Sequence, residues 1–263
     1  MKKSTAPNLH KFMDYSYTVF KNDGSAAAAA IEFVKPQSRV LDVGAGSGAI
    51  TKHFVKSNKC EVTAVELNPS SVKKLEKFCE KVFSLDINTP DWSDALKGEG
   101  KFDHVVATDV LEHLYDPWTV LKNMASLLNE NGSVILSLPH AGHSTVVMNF
   151  LDGNIDYREW GLLDKTHIRF FGLHNIEELY ESAGLAIIRA HFVIIEPSQS
   201  EFADRWKKLP APVREMLENR PEAHVYQVVT EAVPIERAKE KIDLKNFLMG
   251  GVFKPKRKFL GLF

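Results

Sequence analysis

The sequence predicts an α/β protein in which helices cover both faces of a mostly parallel, seven-stranded sheet with an antiparallel edge strand. Short β-branched apolar runs alternate with segments of helical periodicity over most of the 263 residues, which is typical of a parallel sheet with helical crossovers. The last two apolar runs, 185–197 and 224–234, are separated by a polar helical segment, which indicates an antiparallel edge. Together these observations predict a Rossmann-like three-layer sandwich.

The first half of the chain is predicted to contain three strand–helix units. The run "SAAAAAIEFV" begins with a capping serine, Ser25, and continues with strong helix formers. "SRVLDVG" is a β-branched apolar run that ends in glycine and is expected to be a buried strand. Asn68 followed by Pro69 is a typical helix start. Strands are predicted at 38–44, 60–67 and 81–87, and helices at 25–34, 47–57 and 68–81.

The second half continues the alternation but contains one long interruption. Asp116 is expected to cap a helix that ends at Asn131–Gly132, and a later helix is expected to end at Gly184. Strands are predicted at 101–110, 133–139, 185–197 and 224–234, and helical segments at 116–132, 173–184 and 198–220. The periodicity lapses between Pro139 and Phe171, and a connection of this length predicts a lid or a binding loop.

This pattern predicts one main domain over residues 1–235, with an N-terminal helical cover (1–36) and a lid insertion (139–172). Residues 236–263 are expected to form a C-terminal helix and a basic and apolar tail. Lys254, Arg257 and their neighbours in that tail could contact a membrane surface or a partner protein. The oligomeric state is left open.

Composition excludes several classes of protein. The chain is 44% hydrophobic and 25% charged with a net charge of −1, so no nucleic-acid partner is predicted. The basic N-terminus lacks the apolar segment of a secretory signal, and no stretch reads as a membrane span. Cys60 and Cys79, without metal-like spacing, favour a reducing compartment, and a cytoplasmic location is expected.

The run "VLDVGAGSGA" ends the first predicted strand and opens a helix. Glycines there allow a ligand to approach the backbone, and the helix N-terminus offers free N–H groups. The spacing Gly44-x-Gly46-x-x-Ala49 fits the loose dinucleotide pattern. However, Asp42 stands two residues before the first glycine, and Gly48 gives G-x-G-x-G spacing. An acid there would repel a pyrophosphate but would suit an ammonium group.

Four motifs in order resemble the class I S-adenosylmethionine-dependent methyltransferases over residues 38–184. They are "VLDVGAGSG", the acid in "VTAVELNP", "LDI" after the third strand, and "FDHVVATDVLEHLYDPWTVLKNMASLLNENGSVILSLP". The resemblance implies S-adenosylmethionine as cofactor and S-adenosylhomocysteine as product. A nicotinamide-dependent oxidoreductase and a non-catalytic cofactor-binding protein remain the alternatives.

The resemblance also implies roles for the matching positions. Asp42 and the backbone of Gly44, Ala45, Gly46 and Gly48 would hold the methionine end of the cofactor. Glu66 would bind both ribose hydroxyls. The remaining implied positions are Leu67 against adenine, Asp86 and the Ile87 N–H on the adenine edge, and Thr108 and Asp109 near the sulfonium.

Methyl transfer to a hydroxyl benefits from a general base, for which histidine is the usual choice. The candidates are His140, which follows the fifth predicted strand, His167 in the lid, and His113 in "LEHLYD". Each has a structural alternative: a loop histidine for His140, a backbone contact at the lid base for His167, and packing for His113. His143 has a weaker case, and Asp164 is a further option. No metal is required, although His140, His143, Asp164 and His167 could converge on one.

The lid sequence "DGNIDYREWGLLDKTHIRFFG" combines acids, aromatic rings and a histidine, which suits a polar, ring-shaped acceptor. The form "GLLDxTHxRFF" is similar to a run in bacterial methyltransferases found with polysaccharide-assembly enzymes. A sugar or glycan hydroxyl is therefore the first expectation and a quinone or phenol precursor the second. Ile168, Phe170 and Phe171 are expected to anchor the end of the lid in the core.

Overall fold

The central element of the fold is a seven-stranded sheet. The computed structural model describes residues 24–251. The strands are β1 Arg39–Val43, β2 Glu61–Val65, β3 Lys81–Phe83, β4 Phe102–Thr108, β5 Leu128–Pro139, β6 Leu185–Ile194 and β7 Val225–Pro234. Their order is β3-β2-β1-β4-β5-β7-β6. The pairs among β1 to β5 are parallel, whereas β7 is antiparallel to both β5 and β6. The predicted mixed sheet, with its antiparallel pairing at one edge, is confirmed.

Helices cover both faces of this sheet. They are α1 Ala26–Phe33, α2 Thr51–Lys56, α3 Pro69–Leu75, α4 Pro117–Ser126, α5 Ser144–Asp152, α6 Leu173–Ser182, α7 Ala203–Lys208, α8 Ala211–Glu218 and α9 Leu244–Gly251. One apolar core joins α1 and Phe54 of α2 to the sheet, and another joins α4, α6 and α9 to it. The two cores account for the three-layer arrangement.

The predicted helix caps are present. The side chain of Ser25 accepts a hydrogen bond from Ala28 N at 3.1 Å, and that of Asn68 accepts one from Ser70 N at 2.9 Å. Asp116 Oδ1 accepts from Thr119 N at 3.1 Å. Each cap satisfies a backbone donor that has no partner within its own helix.

The helix predicted over residues 116–132 is wrong in its second half. It ends at Ser126, and β5 begins at Leu128 and pairs with Phe102 of β4. The register then shifts between Phe102 and His104, so the polar run between Leu128 and Ser133 forms an irregularity in the strand. Gly132 permits it, because a Cβ there would lie 2.8 Å from Phe102 O.

Three other predicted elements are markedly shorter than expected. The helix predicted over 68–81 stops at Leu75, and β3 covers three residues of the predicted seven. The chain turns after Leu75 so that Phe78 packs against Gly48, where a Cβ would lie 2.6 Å from Phe78 Cζ. Helix α2 also starts late, at Thr51, because the glycine loop continues to that point.

The segment predicted as a lid contains a helix that the sequence did not indicate, α5. It packs with α7, α8 and the residues before His167 in a third apolar cluster, which includes Leu162, Leu163, Phe202 and Trp206. Helices α7 and α8 divide the predicted helical region 198–220 at Pro210, which lacks the N–H that a continuous helix needs.

At the C-terminal end, α9 belongs to the main core. Leu244 and Leu248 are buried in it, and Leu244 N donates to Glu177 Oε1 at 2.6 Å. The predicted N-terminal cover before residue 24 and the predicted tail from residue 252 lie outside the described residues. In residues 24–251, no helix combines the length and the apolar character needed to cross a bilayer.

Candidate active site

A cavity of about 450 Å³ opens at the carboxyl ends of β1, β4 and β5, where open α/β sheets bind ligands. The loop after β1 forms one wall, and the end of β4 with Glu112 and His113 forms the floor. The lid contributes Trp160, Gly161, Asp164 and His167, and β7 contributes Tyr226 and Gln227.

The glycine loop is held in a conformation that favours glycine. Gly44 has φ +72°, and a Cβ there would lie 2.7 Å from Val110 Cγ2. Gly46 has φ +54°, and its N–H donates to Glu66 Oε2 at 2.7 Å. The loop therefore passes close to Val110 at Gly44 and has positive φ at both glycines, and its residues line the cavity.

Asp42 is a buried carboxylate on the cavity wall, 3% exposed. It accepts a hydrogen bond of 2.6 Å from the hydroxyl of Thr51, the first residue of α2. Burial raises the pKa of Asp42 to about 6; the Thr51 bond lowers it, and the negative charge of Glu66 raises it further. A cation in the cavity would favour its ionised form.

Glu66 stands at the end of β2 and is fixed by two backbone donors. Its Oε2 accepts from Gly46 and its Oε1 from Asn68 N at 2.7 Å. A carboxylate offers about four acceptor positions, so about two remain for a ligand. Glu66 does not line the cavity itself but lies beside its glycine wall.

The positions implied for adenine lie outside the cavity. Leu67 is 39% exposed, and Ile87 is buried. Asp86 is exposed, and its Oδ1 accepts from Asn88 N at 2.9 Å, as in a local turn. The structure thus places Glu66, Leu67 and Asp86 at successive strand ends but not in the enclosed part of the site.

Thr108 and Asp109 form the floor at the end of β4. Asp109 adopts a left-handed conformation with φ +55°, which is unusual for a residue with a side chain. Its carboxylate accepts from the hydroxyl of Ser137 at 2.7 Å and from the Gln227 amide. The pKa of Asp109 is raised, first by desolvation among these walls.

Beyond Asp109, a compact cluster joins Glu112, His113 and His167. The rings of His113 and His167 pack edge to face with centroids 4.7 Å apart, and His167 Nε2 lies 3.9 Å from Glu112 Oε1. Glu112 is fully buried, and burial followed by the charge of Asp109 raises its pKa well above the usual value. Burial also lowers the pKa of His167 to about 4, so this imidazole is neutral at pH 7.

The lid is fastened to this cluster through the backbone. Ile168 N and Arg169 N both donate to the carbonyl of Glu112 at 3.0 Å. Phe171 is buried as predicted, but the prediction was wrong for Ile168 and Phe170, which are 44% and 39% exposed. The end of the lid is therefore held by the backbone hydrogen bonds of Ile168 and Arg169 and by the buried ring of Phe171. The side chains of Ile168 and Phe170 do not anchor it in the core.

His140 is not brought into the cavity, which corrects the expectation of a base at the end of β5. Its ring is fully buried, with Nδ1 3.3 Å from Val225 O and Nε2 3.4 Å from Glu222 Oε2. His143 is the cap residue of α5, and its Nε2 bonds to Ile195 O at 2.9 Å. Both histidines connect the lid to the chain around β7, so of the three candidate bases only His113 and His167 line the cavity.

Sequence reasoning missed several residues of the site. Glu112 stood in the quoted run "LEHL" beside His113, and a carboxylate within an apolar run was an available signal. Trp160 was considered only as part of the lid composition. Tyr226 and Gln227 come from β7, almost 120 residues beyond Asp109, and no local pattern indicates that contact.

A sequence model of a family described as a methyltransferase domain matches residues 12–190, which is more than half of the chain. The chain is 35% identical over 105 residues to a ubiquinone biosynthesis O-methyltransferase of Xanthomonas campestris pv. campestris. That alignment covers 39% of this chain and 43% of the relative, so the chain matches less than half of the relative's length.

Solved structures share the fold. A SAM-dependent methyltransferase from Archaeoglobus fulgidus superposes with a TM-score of 0.54 at 19% identity, covering 79% of this chain and 94% of that one. A protein from Bacillus halodurans described as a putative methyltransferase gives 0.54 at 17% identity, covering 78% and 97%.

Proposed function

The chain belongs to the methyltransferase-domain family, and from that premise we propose that it is an S-adenosylmethionine-dependent O-methyltransferase. Its acceptor in this proposal is a hydroxyl group on a small, ring-shaped molecule. The observation that supports this best is the continuity of one cavity, which runs from Asp42 and the glycine loop to His113 and His167.

The residues present fit the cofactor. Asp42 offers a buried carboxylate to an ammonium group, and Gly46 leaves open space beside the loop that a side chain would fill. Glu66 keeps about two acceptor positions for a ribose diol after its two backbone bonds. When bound, S-adenosylmethionine supplies a methyl group on a positively charged sulfur, already activated for displacement.

The chain's own contribution is then orientation and exclusion of water. Proximity and alignment supply much of the rate in a displacement of this kind. The lid, held to the Glu112 carbonyl and to β7, closes the acceptor end of the cavity. An acceptor oxygen placed there would face the rings of His113 and His167, whose nitrogens can accept or share its proton.

Two acceptor classes remain in this proposal. The exposed ring of Trp160 on the cavity wall, with Asp164 and Gln227 nearby, supports a sugar or glycan hydroxyl. The 35% identity to a ubiquinone biosynthesis O-methyltransferase supports a phenol or quinone precursor instead. The polysaccharide connection rests only on the form of the lid sequence.

A methyl-transfer screen tests the proposal. Purified protein would be incubated with methyl-labelled S-adenosylmethionine and a panel of sugar, lipid-linked glycan and phenolic acceptors. We expect label in the oxygen-linked methyl of one class. Binding of S-adenosylhomocysteine without transfer to any hydroxyl would support the non-catalytic alternative, and binding of NAD alone would support the oxidoreductase.

A further inference from the structure

We propose that Glu112, His113 and His167 form a binding site for a divalent transition-metal cation at the acceptor end of the cavity. Each residue offers one ligand atom, and these three atoms lie within 4.8 Å of one another. All three residues line the cavity, so a cation held there would be reachable from it.

The first argument is the state of Glu112. Its side chain is 0% exposed, and neither carboxylate oxygen has a hydrogen-bond partner on any other residue in the described part of the chain. An ionised carboxylate that is buried without a partner costs several kcal/mol, so without a cation Glu112 is left either charged and unpaired or protonated. A bound cation is the partner that the site lacks.

The surroundings increase the need for positive charge. Asp109 and Asp164 both act on Glu112 as neighbouring negative charges. Lysine and arginine side chains do not line this cavity within residues 24–251. Three acids around two histidine rings therefore favour a cation over an anionic ligand.

The two histidines are already oriented as metal ligands are. His167 Nδ1 lies 3.3 Å from Leu162 O, and His113 Nδ1 lies 3.2 Å from Thr166 O. A ring nitrogen opposite a carbonyl must carry the proton and donate it, so Nε2 keeps the lone pair in both rings. Backbone or carboxylate acceptors of this kind usually fix the tautomer of ligating histidines.

A second layer of contacts supports His113. Its Nδ1 also lies 3.0 Å from the hydroxyl of Thr166, and this hydroxyl donates to Asp164 Oδ1 at 2.7 Å. Thr166 N donates to the same oxygen at 2.7 Å. The carboxylate thus orients Thr166, and Thr166 orients the ring.

Two imidazole nitrogens and one carboxylate oxygen define the kind of metal. Such a donor set suits Zn²⁺, Fe²⁺, Co²⁺ or Mn²⁺ better than Mg²⁺ or Ca²⁺, which prefer oxygen ligands. Ligand atoms around a bound ion lie about 3 to 3.5 Å apart. The 3.9 Å between His167 Nε2 and Glu112 Oε1 would shorten by about half an ångström on binding, and a pair at the 4.8 Å limit of the cluster would shorten by about 1.5 Å.

Three protein ligands leave one or more coordination positions open, as catalytic metal sites do. Those positions face the cavity, where the proposed function puts the acceptor oxygen. This consequence rests on that function, whereas cation binding itself does not. His113 and His167 would then act as ligands rather than as bases, because an Nε2 lone pair that binds the cation cannot also accept a proton.

Titration with Co²⁺ tests the site without any use of activity. Chelator-treated protein would be titrated with Co²⁺ while its visible absorption and heat of binding are recorded. We expect one equivalent to bind with a nitrogen-ligand absorption band. Glu112→Gln and His167→Ala should each weaken binding by about 100-fold or more, and Thr166→Val by about tenfold. His174→Ala removes an exposed histidine beside Glu177 and Glu178 and should leave binding unchanged.

Each variant would also be tested for thermal unfolding and for S-adenosylhomocysteine binding. Retained folding and cofactor binding with lost Co²⁺ binding supports the site. Equal Co²⁺ affinity in wild type, Glu112→Gln and His167→Ala would overturn it, whatever the methyl-transfer result. Failure of S-adenosylhomocysteine to bind the wild type, with Co²⁺ binding intact, would count against the proposed function alone.

Discussion

At the scale of single residues, the site depends on acids whose partners differ. Glu66 is held by two backbone N–H groups, Asp42 by one hydroxyl, and Glu112 by no other residue in the described chain. These differences predict different consequences when each acid is removed. An acid with fixed partners keeps its position, whereas a buried acid without hydrogen-bond partners holds its proton unless a cation binds.

Removing Glu66 should weaken cofactor binding. Glu66→Ala loses the proposed diol acceptor and also releases Gly46 N and Asn68 N, so the glycine loop loses a support. We expect S-adenosylhomocysteine affinity to fall by about 2 kcal/mol or more, measured by calorimetry. Glu61→Ala is the matched control, since Glu61 begins the same strand and pairs with Arg39 on the surface. Unchanged affinity in Glu66→Ala would refute the assignment.

Asp42 should make cofactor binding depend on pH. Its pKa in the free protein is about 6, raised first by burial, and an ammonium group beside it would lower that value in the complex. Binding is therefore strongest above pH 6 and weakens as pH falls through 6, by up to about tenfold per unit. S-adenosylhomocysteine affinity measured from pH 5 to 7.5 checks this.

Asp42→Asn is the control for that profile, because it keeps the size of the side chain and removes the charge. The variant should bind more weakly at pH 7.5 and show a flatter profile between pH 5 and 7. A wild-type profile with no slope, or the same slope in Asp42→Asn, would contradict the role of Asp42.

The sequence could predict the position of a site residue where its contacts are local, and could not where its contacts are distant in the chain. Asp42 and Glu66 stand at strand ends next to recognisable loops, so their positions could be predicted from local pattern. His140 also follows a strand, but β7 passes beside it and covers its ring. Glu112 and His167 meet across more than 50 residues through the lid backbone, which no spacing rule predicts.

At the scale of elements, the same limit appears in the helix boundaries. Capped starts at Ser25, Asn68 and Asp116 are local chemistry and could be predicted. The end of α4 could not, because Leu128 leaves the helix to pair with Phe102 on β4. The pairing of β5 with β4 outweighs the helical propensity of the sequence between Leu127 and Asn131.

The glycine loop gives a prediction at this scale. Gly44→Ala forces a side chain into a left-handed position 2.7 Å from Val110. Left-handed strain costs about 1–2 kcal/mol and overpacking about 1–3 kcal/mol more, so the free energy of unfolding should fall by about 2–5 kcal/mol. Urea unfolding measures it, and S-adenosylhomocysteine affinity should fall as well.

Gly153→Ala is the matched comparison for that substitution. Gly153 has a similar φ of +69° at the end of α5, but a Cβ there would meet nothing within 4 Å. Only the strain of about 1–2 kcal/mol should appear, with cofactor affinity preserved. Equal losses of unfolding free energy in Gly44→Ala and Gly153→Ala would show that backbone strain alone, and not the close approach to Val110, requires glycine at position 44.

At the scale of the whole molecule, the lid joins distant parts of the chain around the cavity. Its own apolar cluster unites α5, α7 and α8 with Leu162 and Leu163. Its polar attachments reach Glu112 on one side and β7 on the other. The acceptor end of the cavity is therefore built from segments that come together only in the folded chain.

Glu201 is the link between these parts. Its Oε1 accepts from Leu162 N at 2.7 Å, and its Oε2 accepts from the hydroxyl of Tyr226 at 3.1 Å. Burial holds the pKa of Tyr226 above its usual value, so the phenol stays protonated and remains a donor. One carboxylate thus ties the lid to the strand that carries Gln227.

Glu201→Ala should loosen the lid without unfolding the sheet. Hydrogen bonds to a charged group contribute about 1.5–3 kcal/mol. Their loss should therefore raise the population of the open lid by about tenfold or more. Amide hydrogen exchange over residues 158–167 should accelerate, and the KM for the acceptor should rise while S-adenosylhomocysteine affinity stays the same. Glu196→Ala removes a nearby acid that pairs with His224 and should change neither. If exchange accelerates equally across β1 and β4, then Glu201 stabilises the whole fold, and the lid is not an independent unit.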